Sequence, residues 1–126
     1  MAYLVDSDVL IDVARGKEAA INHLDLLPEE WSISVVTSME VVIGARDKTD
    51  LRKMDEFLAA IPMVPLKAGI GTRACELLKG YAKSHGLRIL DAMIAATAIE
   101  EGKTLVTRNR KHFRMIPNLK LDFPDY

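Results

Sequence analysis

Apolar positions along this chain alternate between short runs and helical stripes, beginning with Tyr3-Leu4-Val5, which ends abruptly in Asp6-Ser7-Asp8. A run of that length bounded by acids reads as a buried strand over residues 2–6. Val9 to Ala14 reads as a brief helix closed by Arg15-Gly16, because glycine after a basic last turn is a common stop. A second helix is predicted from Glu18 to Leu27, ended by Pro28. Ser32 to Val36 is short and rich in β-branched residues and predicts a strand; a helix follows from about Ser38 to Arg46, with Thr37 as its N-cap. From Asp50 to Ile61, residues Leu51, Met54, Phe57, Leu58 and Ile61 form an apolar stripe on one helical face.

The second half continues the rhythm. Pro62 to Leu66 carries two prolines, which confine a strand there to an edge. Ile70, Ala74, Leu77, Leu78 and Tyr81 mark a long helix ending near His85-Gly86, and a further helix runs from Asp91 to Glu101, stopped by Gly102. That helix is apolar nearly all round, which predicts a central position with small residues allowing close approach to a sheet. Strands are expected at Thr104 to Thr107 and Leu119 to Phe123. Alternating strands and helices imply an α/β sandwich of three layers around a central parallel sheet.

Ligands of such sheets bind beyond the carboxyl ends of the strands. Asp6 and the loop after Thr107 lie at carboxyl ends, while Glu40 and Asp91 lie in the first turns of helices that start at the same edge. Segments far apart in sequence therefore converge on one crevice. A buried carboxylate needs a compensating cation or takes up a proton. Asp6, Glu40 and Asp91 together would offer an oxygen-rich site suited to Mg²⁺ or Mn²⁺. Each acid also has a structural role open to it. Asp6 could cap the following helix, as could Ser7 or Asp8. Glu40 completes a capping-box pattern with Thr37, and Asp91 could favour the positive end of its helix dipole. Asp8 reads as a cap or a support for Asp6, and Asp12 as a residue on the solvent side of its helix. Past the next strand, Thr107 could hydrogen-bond a carboxylate and Asn109 could orient a water or a phosphate oxygen. His112 is left open, and His23 and His85 carry no signal.

Composition narrows the class. The 126 residues, 49% hydrophobic and 28% charged, suit one domain over residues 1–126. The single cysteine, Cys75, excludes an internal disulfide, and no cysteine–histidine cluster suggests zinc. With no apolar segment of membrane-spanning length and no cleavable leader, a soluble cytoplasmic protein without membrane association is expected. The net charge of −1 hides a polarity, since residues 1–65 hold twelve acids against six bases and residues 66–126 six against eleven. Lys103, Arg108, Arg110, Lys111, Arg114 and Lys120 lie in an acid-free stretch, which could follow phosphates or simply be solvated surface.

Taken together, Leu4-Val5-Asp6-Ser7-Asp8-Val9-Leu10-Ile11, Glu40 within Thr37-Ser38-Met39-Glu40, Ile89-Leu90-Asp91-Ala92-Met93-Ile94-Ala95-Ala96-Thr97-Ala98, and Leu105-Val106-Thr107-Arg108-Asn109 with His112-Phe113 resemble the PIN-domain ribonucleases. More narrowly, they resemble the VapC toxins of bacterial and archaeal toxin–antitoxin pairs, and the likeness spans almost the whole chain. It implies a PIN-like fold and a Mg²⁺- or Mn²⁺-dependent endoribonuclease whose metal is held by Asp6, Glu40 and Asp91, with Ser7 where the family usually has threonine or serine. Where many members add a fourth acid, this chain has Asn109 and His112; Asn109 is the fourth catalytic candidate. Ser7, Asp8, Thr107, Arg108 and Arg110 would support the acids or contact RNA. The resemblance also implies a homodimer and a small VapB-like antitoxin whose terminal segment lies in a groove near the acids. The Asp50 to Ile61 helix would belong either to that groove or dimer contact, or to its own core.

Two other readings use the same residues. Asp6-Ser7-Asp8 also resembles the nucleophile motif of haloacid dehalogenase-type phosphatases, with Asp6 attacking phosphate and Asp8 as general acid, although no later paired-aspartate loop accompanies it. A catalytically inert PIN-type module binding RNA or protein is the second; the retained acids weigh against it.

Overall fold

The computed structural model describes residues 2–126. Within them, β1 (Tyr3–Val5), α1 (Ser7–Ala14), α2 (Glu18–Asp25), β2 (Trp31–Ser34), α3 (Val35–Ile43), α4 (Lys48–Ala59), β3 (Met63–Val64), α5 (Ala68–His85), α6 (Ile89–Glu100), β4 (Thr104–Val106), α7 (Arg110–Phe113) and β5 (Leu121–Asp122) follow in order. The strands form one sheet in the order β3-β2-β1-β4-β5, and every pairing is parallel. Tyr3 and Leu4 stand opposite Trp31 and Ser32 on one side and Thr104 and Leu105 on the other.

The period-two geometry of the strands sorts their side chains to two faces. Leu4 and Leu105 join Ile70, Ala74, Leu77, Ile94, Ala95 and Phe113 in a core under α5, α6 and α7. Val5, Ile33 and Val106 join Val9, Leu10, Leu24, Met54 and Leu58 in a second core under α1, α2 and α4. This is the three-layer α/β/α sandwich with a central parallel sheet that the alternating pattern predicts. The proline-flanked β3 occupies an edge, as expected. α6 is central: Ala92, Ile94, Ala95, Ala96 and Ala98 are fully buried. In α4, Met54 and Leu58 are buried and Phe57 packs against the same core, while Leu51 stays exposed.

One element starts earlier than its composition suggests. β-branched Val35 and Val36 are helical, and α3 is capped by Ser34, whose hydroxyl accepts from the Val36 amide at 3.0 Å. Thr37 is therefore no cap but a helical residue, fully buried, and the Thr37–Glu40 capping box does not form. Propensity yields here to tertiary context, because β2 needs only four residues to pair with β1 and β3. At the other end of the chain, the strand expected from Leu119 to Phe123 is only Leu121–Asp122. No helix among the described residues is long and apolar enough to cross a membrane.

Candidate active site

Parallel strands align their carboxyl ends, and the site is built there. The Asp6 amide donates to the Val106 carbonyl at 2.9 Å, extending the β1–β4 ladder by one residue, and the Thr107 amide donates to Asp122 at 3.1 Å. Asp6 and Thr107 thus leave neighbouring strands side by side. The Thr107 hydroxyl donates to Asp6 Oδ2 at 2.8 Å, and both residues are buried. Asp6 Oδ1 accepts from the Ser7 amide at 2.8 Å, so the acid also caps α1. The cap and the site are one arrangement, since the cap holds Oδ1 while β4 holds Oδ2.

Ser7 carries the site across to α3. Its hydroxyl donates to Glu40 Oε1 at 3.0 Å. Glu40 sits well inside α3 and not in its first turn, on the helix face that looks toward α1. Asp91 is the third residue of α6, buried, following exposed Ile89 and Leu90. Its Oδ2 accepts from Arg88 Nε at 3.2 Å and lies 3.2 Å from His112 Nδ1. His112 is held in turn by α7, whose cap is Asn109. The Asn109 Oδ1 accepts from the His112 amide at 3.3 Å, and its Nδ2 lies 2.9 Å from His112 Nδ1. His112 Nδ1 can accept from Asn109 or donate to Asp91, but not both. The Asn109 side chain thus contacts His112, through which it is linked to Asp91. Its backbone amide donates to Thr107 Oγ1 at 3.0 Å, closing the loop onto Asp6.

Asp8 supports the site from the side. Its Oδ1 accepts from the Val9 amide at 2.7 Å and its Oδ2 from the Arg108 amide at 3.0 Å. Asp12 is not turned to solvent. Its Oδ2 accepts from the Tyr126 hydroxyl at 2.8 Å and lies 3.6 Å from Arg108. Arg108 and Arg110 are likewise engaged, over the rings of Tyr126 and Phe123.

Electrostatics reveal what the acids lack. Burial, reinforced by the charge of Asp8 and then of Glu40, pushes Asp6 up to about 7 against the hydrogen bonds from Thr107 and Ser7. Burial also raises Asp8, while the amides of Val9 and Arg108 pull it down. Glu40 is raised by burial and by Asp91, and lowered by Ser7 and Arg88. Asp91, Glu40, Asp6 and Asp8 thus form a chain of mutually repelling carboxylates, linked through Ser7. No three of the described histidine, cysteine, aspartate and glutamate side chains close into a preformed cage. Such an open, oxygen-only set with surplus negative charge fits Mg²⁺ or Mn²⁺, which bind through one or two carboxylates and complete their shell with water or phosphate oxygens.

Beside the acids runs an apolar groove of about 670 Å³, lined by Leu78, Ala82, Leu87, Ile89 and Leu90 and ending on Glu40 and Arg88. It lies between α5 and the start of α6, away from α4. Sequence reasoning left His112 open and did not find Tyr126. For His112 the spacing of three from a capping Asn109 was a readable sign; Tyr126 had none.

The sequence matches the family described as PIN domain over residues 3–118. It is 37% identical over 123 residues to Ribonuclease VapC10 of Mycobacterium tuberculosis, covering 95% of this chain and 92% of that protein. A toxin–antitoxin complex from Klebsiella pneumoniae contains a similar chain with TM-score 0.82 and 30% identity, over 98% of both chains. VapBC2 from Rickettsia felis, bound to a promoter DNA fragment, matches with TM-score 0.83 and 29% identity, over 99% of this chain and 100% of that one.

Proposed function

The chain belongs to the PIN-domain family, and from that membership we propose that it is a metal-dependent endoribonuclease, the toxin of a toxin–antitoxin pair. The observation that carries this reading is the crowd of acids at the carboxyl edge of the sheet, with Asp6 pushed up to about 7 by burial and by its neighbours Asp8 and Glu40.

Asp6, Glu40 and Asp91 are the residues that would hold Mg²⁺ or Mn²⁺. When bound, such an ion supplies Lewis acidity for phosphodiester hydrolysis, neutralising phosphate charge and easing deprotonation of the attacking water. The chain's own residues prepare the place. Thr107 and the Ser7 amide fix both oxygens of Asp6, and the Ser7 hydroxyl aims Glu40 at the same point. Arg88 pairs with Asp91, and its exposed guanidinium is available to a phosphate. Asn109 acts as a positioning residue through His112. Basic residues beyond β4 draw the anionic strand to acids that would otherwise repel it.

The antitoxin partner follows from the same reading. The groove between α5 and α6 is the place for its segment, with apolar side chains on the walls and a polar group meeting Glu40 or Asp91 at the end. A homodimer and a cytoplasmic setting complete the proposal. A phosphatase mechanism does not suit the geometry, because both oxygens of Asp8 accept from backbone amides.

Cleavage of total RNA by the purified chain, freed of any antitoxin, tests the function. Activity with Mg²⁺ or Mn²⁺ that is absent with EDTA and lost in both Asp6→Asn and Asp91→Asn is expected. Equal activity in every sample would reveal a contaminant and overturn the assignment.

A further inference from the structure

The basic run between Arg108 and Arg114 divides in two on the folded chain. Arg108 donates to the Tyr126 backbone oxygen at 2.6 Å with its guanidinium 4.3 Å over that ring, and Arg110 lies 4.5 Å over Phe123. Lys111 and Arg114 are exposed and do something different. With Ser84, His85, Gly86 and Met115 they line a separate pocket of about 520 Å³. Neither has an acidic partner within ion-pair distance among the described residues.

Two uncompensated cations, an imidazole and a hydroxyl are the chemistry of an anion site. The end of α5 is closed by a left-handed glycine turn, and Lys111 and Arg114 share the pocket with the negative end of its dipole. The Gly86 amide, at φ 69°, donates to Ala82 at 3.0 Å, the Leu87 amide to Tyr81 at 3.3 Å, and the Ser84 hydroxyl to Gly80 at 3.3 Å. His85 is held in place edge-on to Tyr81, ring centroids 5.7 Å apart, with Nδ1 2.7 Å from Ser84 Oγ. The pocket's residues are close in sequence to those of the catalytic crevice. Lys111 adjoins His112, which reaches Asp91, and Gly86 leads within two residues to Arg88.

We infer that this pocket is a phosphate subsite for the RNA strand, in which Lys111, Arg114 and His85 receive a backbone phosphate adjacent along the strand to the one presented to Asp6 and Asp91. The inference rests on the nuclease reading and deepens it, since it places the strand's path across α7.

The test is binding of fluorescein-labelled single-stranded RNA, followed by anisotropy in EDTA over a range of salt concentrations. The wild-type chain, the double variant Lys111→Ala with Arg114→Ala, and a control, Arg52→Ala with Lys53→Ala on exposed α4, are compared. The double variant is expected to bind roughly tenfold more weakly, with the slope of log K against log salt shallower by about 0.7, as one lost phosphate contact on a single strand requires. The control, which removes the same charge, should keep the wild-type slope. Unchanged affinity and slope in the double variant, or an equal loss in the control, overturns the subsite while leaving wild-type cleavage intact. If the wild-type chain neither binds nor cleaves RNA, the nuclease reading itself fails and the subsite with it.

Discussion

The hydroxyl of Thr107 donates to Asp6 Oδ2 at 2.8 Å, joining the ends of β1 and β4 through residues separated by 101 positions. The bond does two things: it satisfies a buried acceptor, and it favours the charged form of an acid that burial drives toward neutrality.

Thr107→Val keeps the shape and removes the donor. The Asp6 carboxyl should then titrate at higher pH than in the wild-type chain, and the fold should lose roughly 1–2 kcal/mol, as expected when a buried partner is left unpaired. Carboxyl titration by NMR together with denaturant unfolding measures both. An Asp6 that titrates unchanged would show that the bond does not control the acid.

Asp6→Asn should abolish cleavage yet stabilise the metal-free protein. With the native value raised to about 7, the folded chain binds a proton between the ordinary carboxylate range and that value which the unfolded chain has already released. The resulting penalty is absent below the ordinary range and complete above 7, so stability from this group falls as pH rises through the window. At about pH 8 the variant should gain roughly 2 kcal/mol, the hydrogen bonds lost by the amide having offset part of the shift. Thermal unfolding of both proteins in EDTA, at about pH 5 and pH 8, reads the difference. A variant less stable than wild type at the higher pH contradicts the electrostatic account.

Arg88 Nε donates to Asp91 Oδ2 at 3.2 Å, and on the proposed reading a divalent cation would compete with it for that oxygen. Removing the guanidinium by Arg88→Ala should tighten Mn²⁺ binding in the RNA-free protein about threefold, in keeping with the modest strength of an exposed ion pair. Titration calorimetry decides this, and weaker binding would mean that Arg88 organises Asp91 for the metal and does not block it.

Asp50 is buried at the head of α4 and accepts a two-pronged bond from Arg15 at 2.9 and 3.1 Å, with further bonds from the Arg46 amide and side chain. Arg15, then Arg46, holds its carboxyl well below the usual range. A depressed native value contributes stability above the ordinary carboxylate range, and that contribution is lost as pH falls below it. Asp50→Asn should therefore lower Tm by several degrees near neutrality and flatten the acid limb of the stability profile. An acid limb identical to that of wild type would remove Asp50 as its source.

Most of the elements were legible in the chain because local terms decide them. The stripe over Ile70 to Tyr81, the glycine stops at Gly16, Gly86 and Gly102, and the apolar run ending in Asp6 all act within one or two turns. The order of strand-like and helix-like segments then determines a parallel sheet, since each crossover returns a strand in the same direction. That geometry is enough to bring Asp6 and Thr107 to one edge before any side-chain contact is known.

Other features belong to the tertiary structure alone. Thr37 and Glu40 carry a capping-box pattern, yet Ser34 caps α3, because pairing of β2 with its neighbours ends the strand there. The ion pair of Arg15 with Asp50, the clamp of Tyr126 on Asp12 and Arg108, and the approach of His112 to Asp91 join residues on different elements. So do the separate fates of Arg108 and Arg110 on one side and Lys111 and Arg114 on the other. Sequence pattern determines which face of an element is apolar. Which polar side chains meet depends on how the elements pack, and that is decided by the summed burial of both cores, a quantity no local window contains.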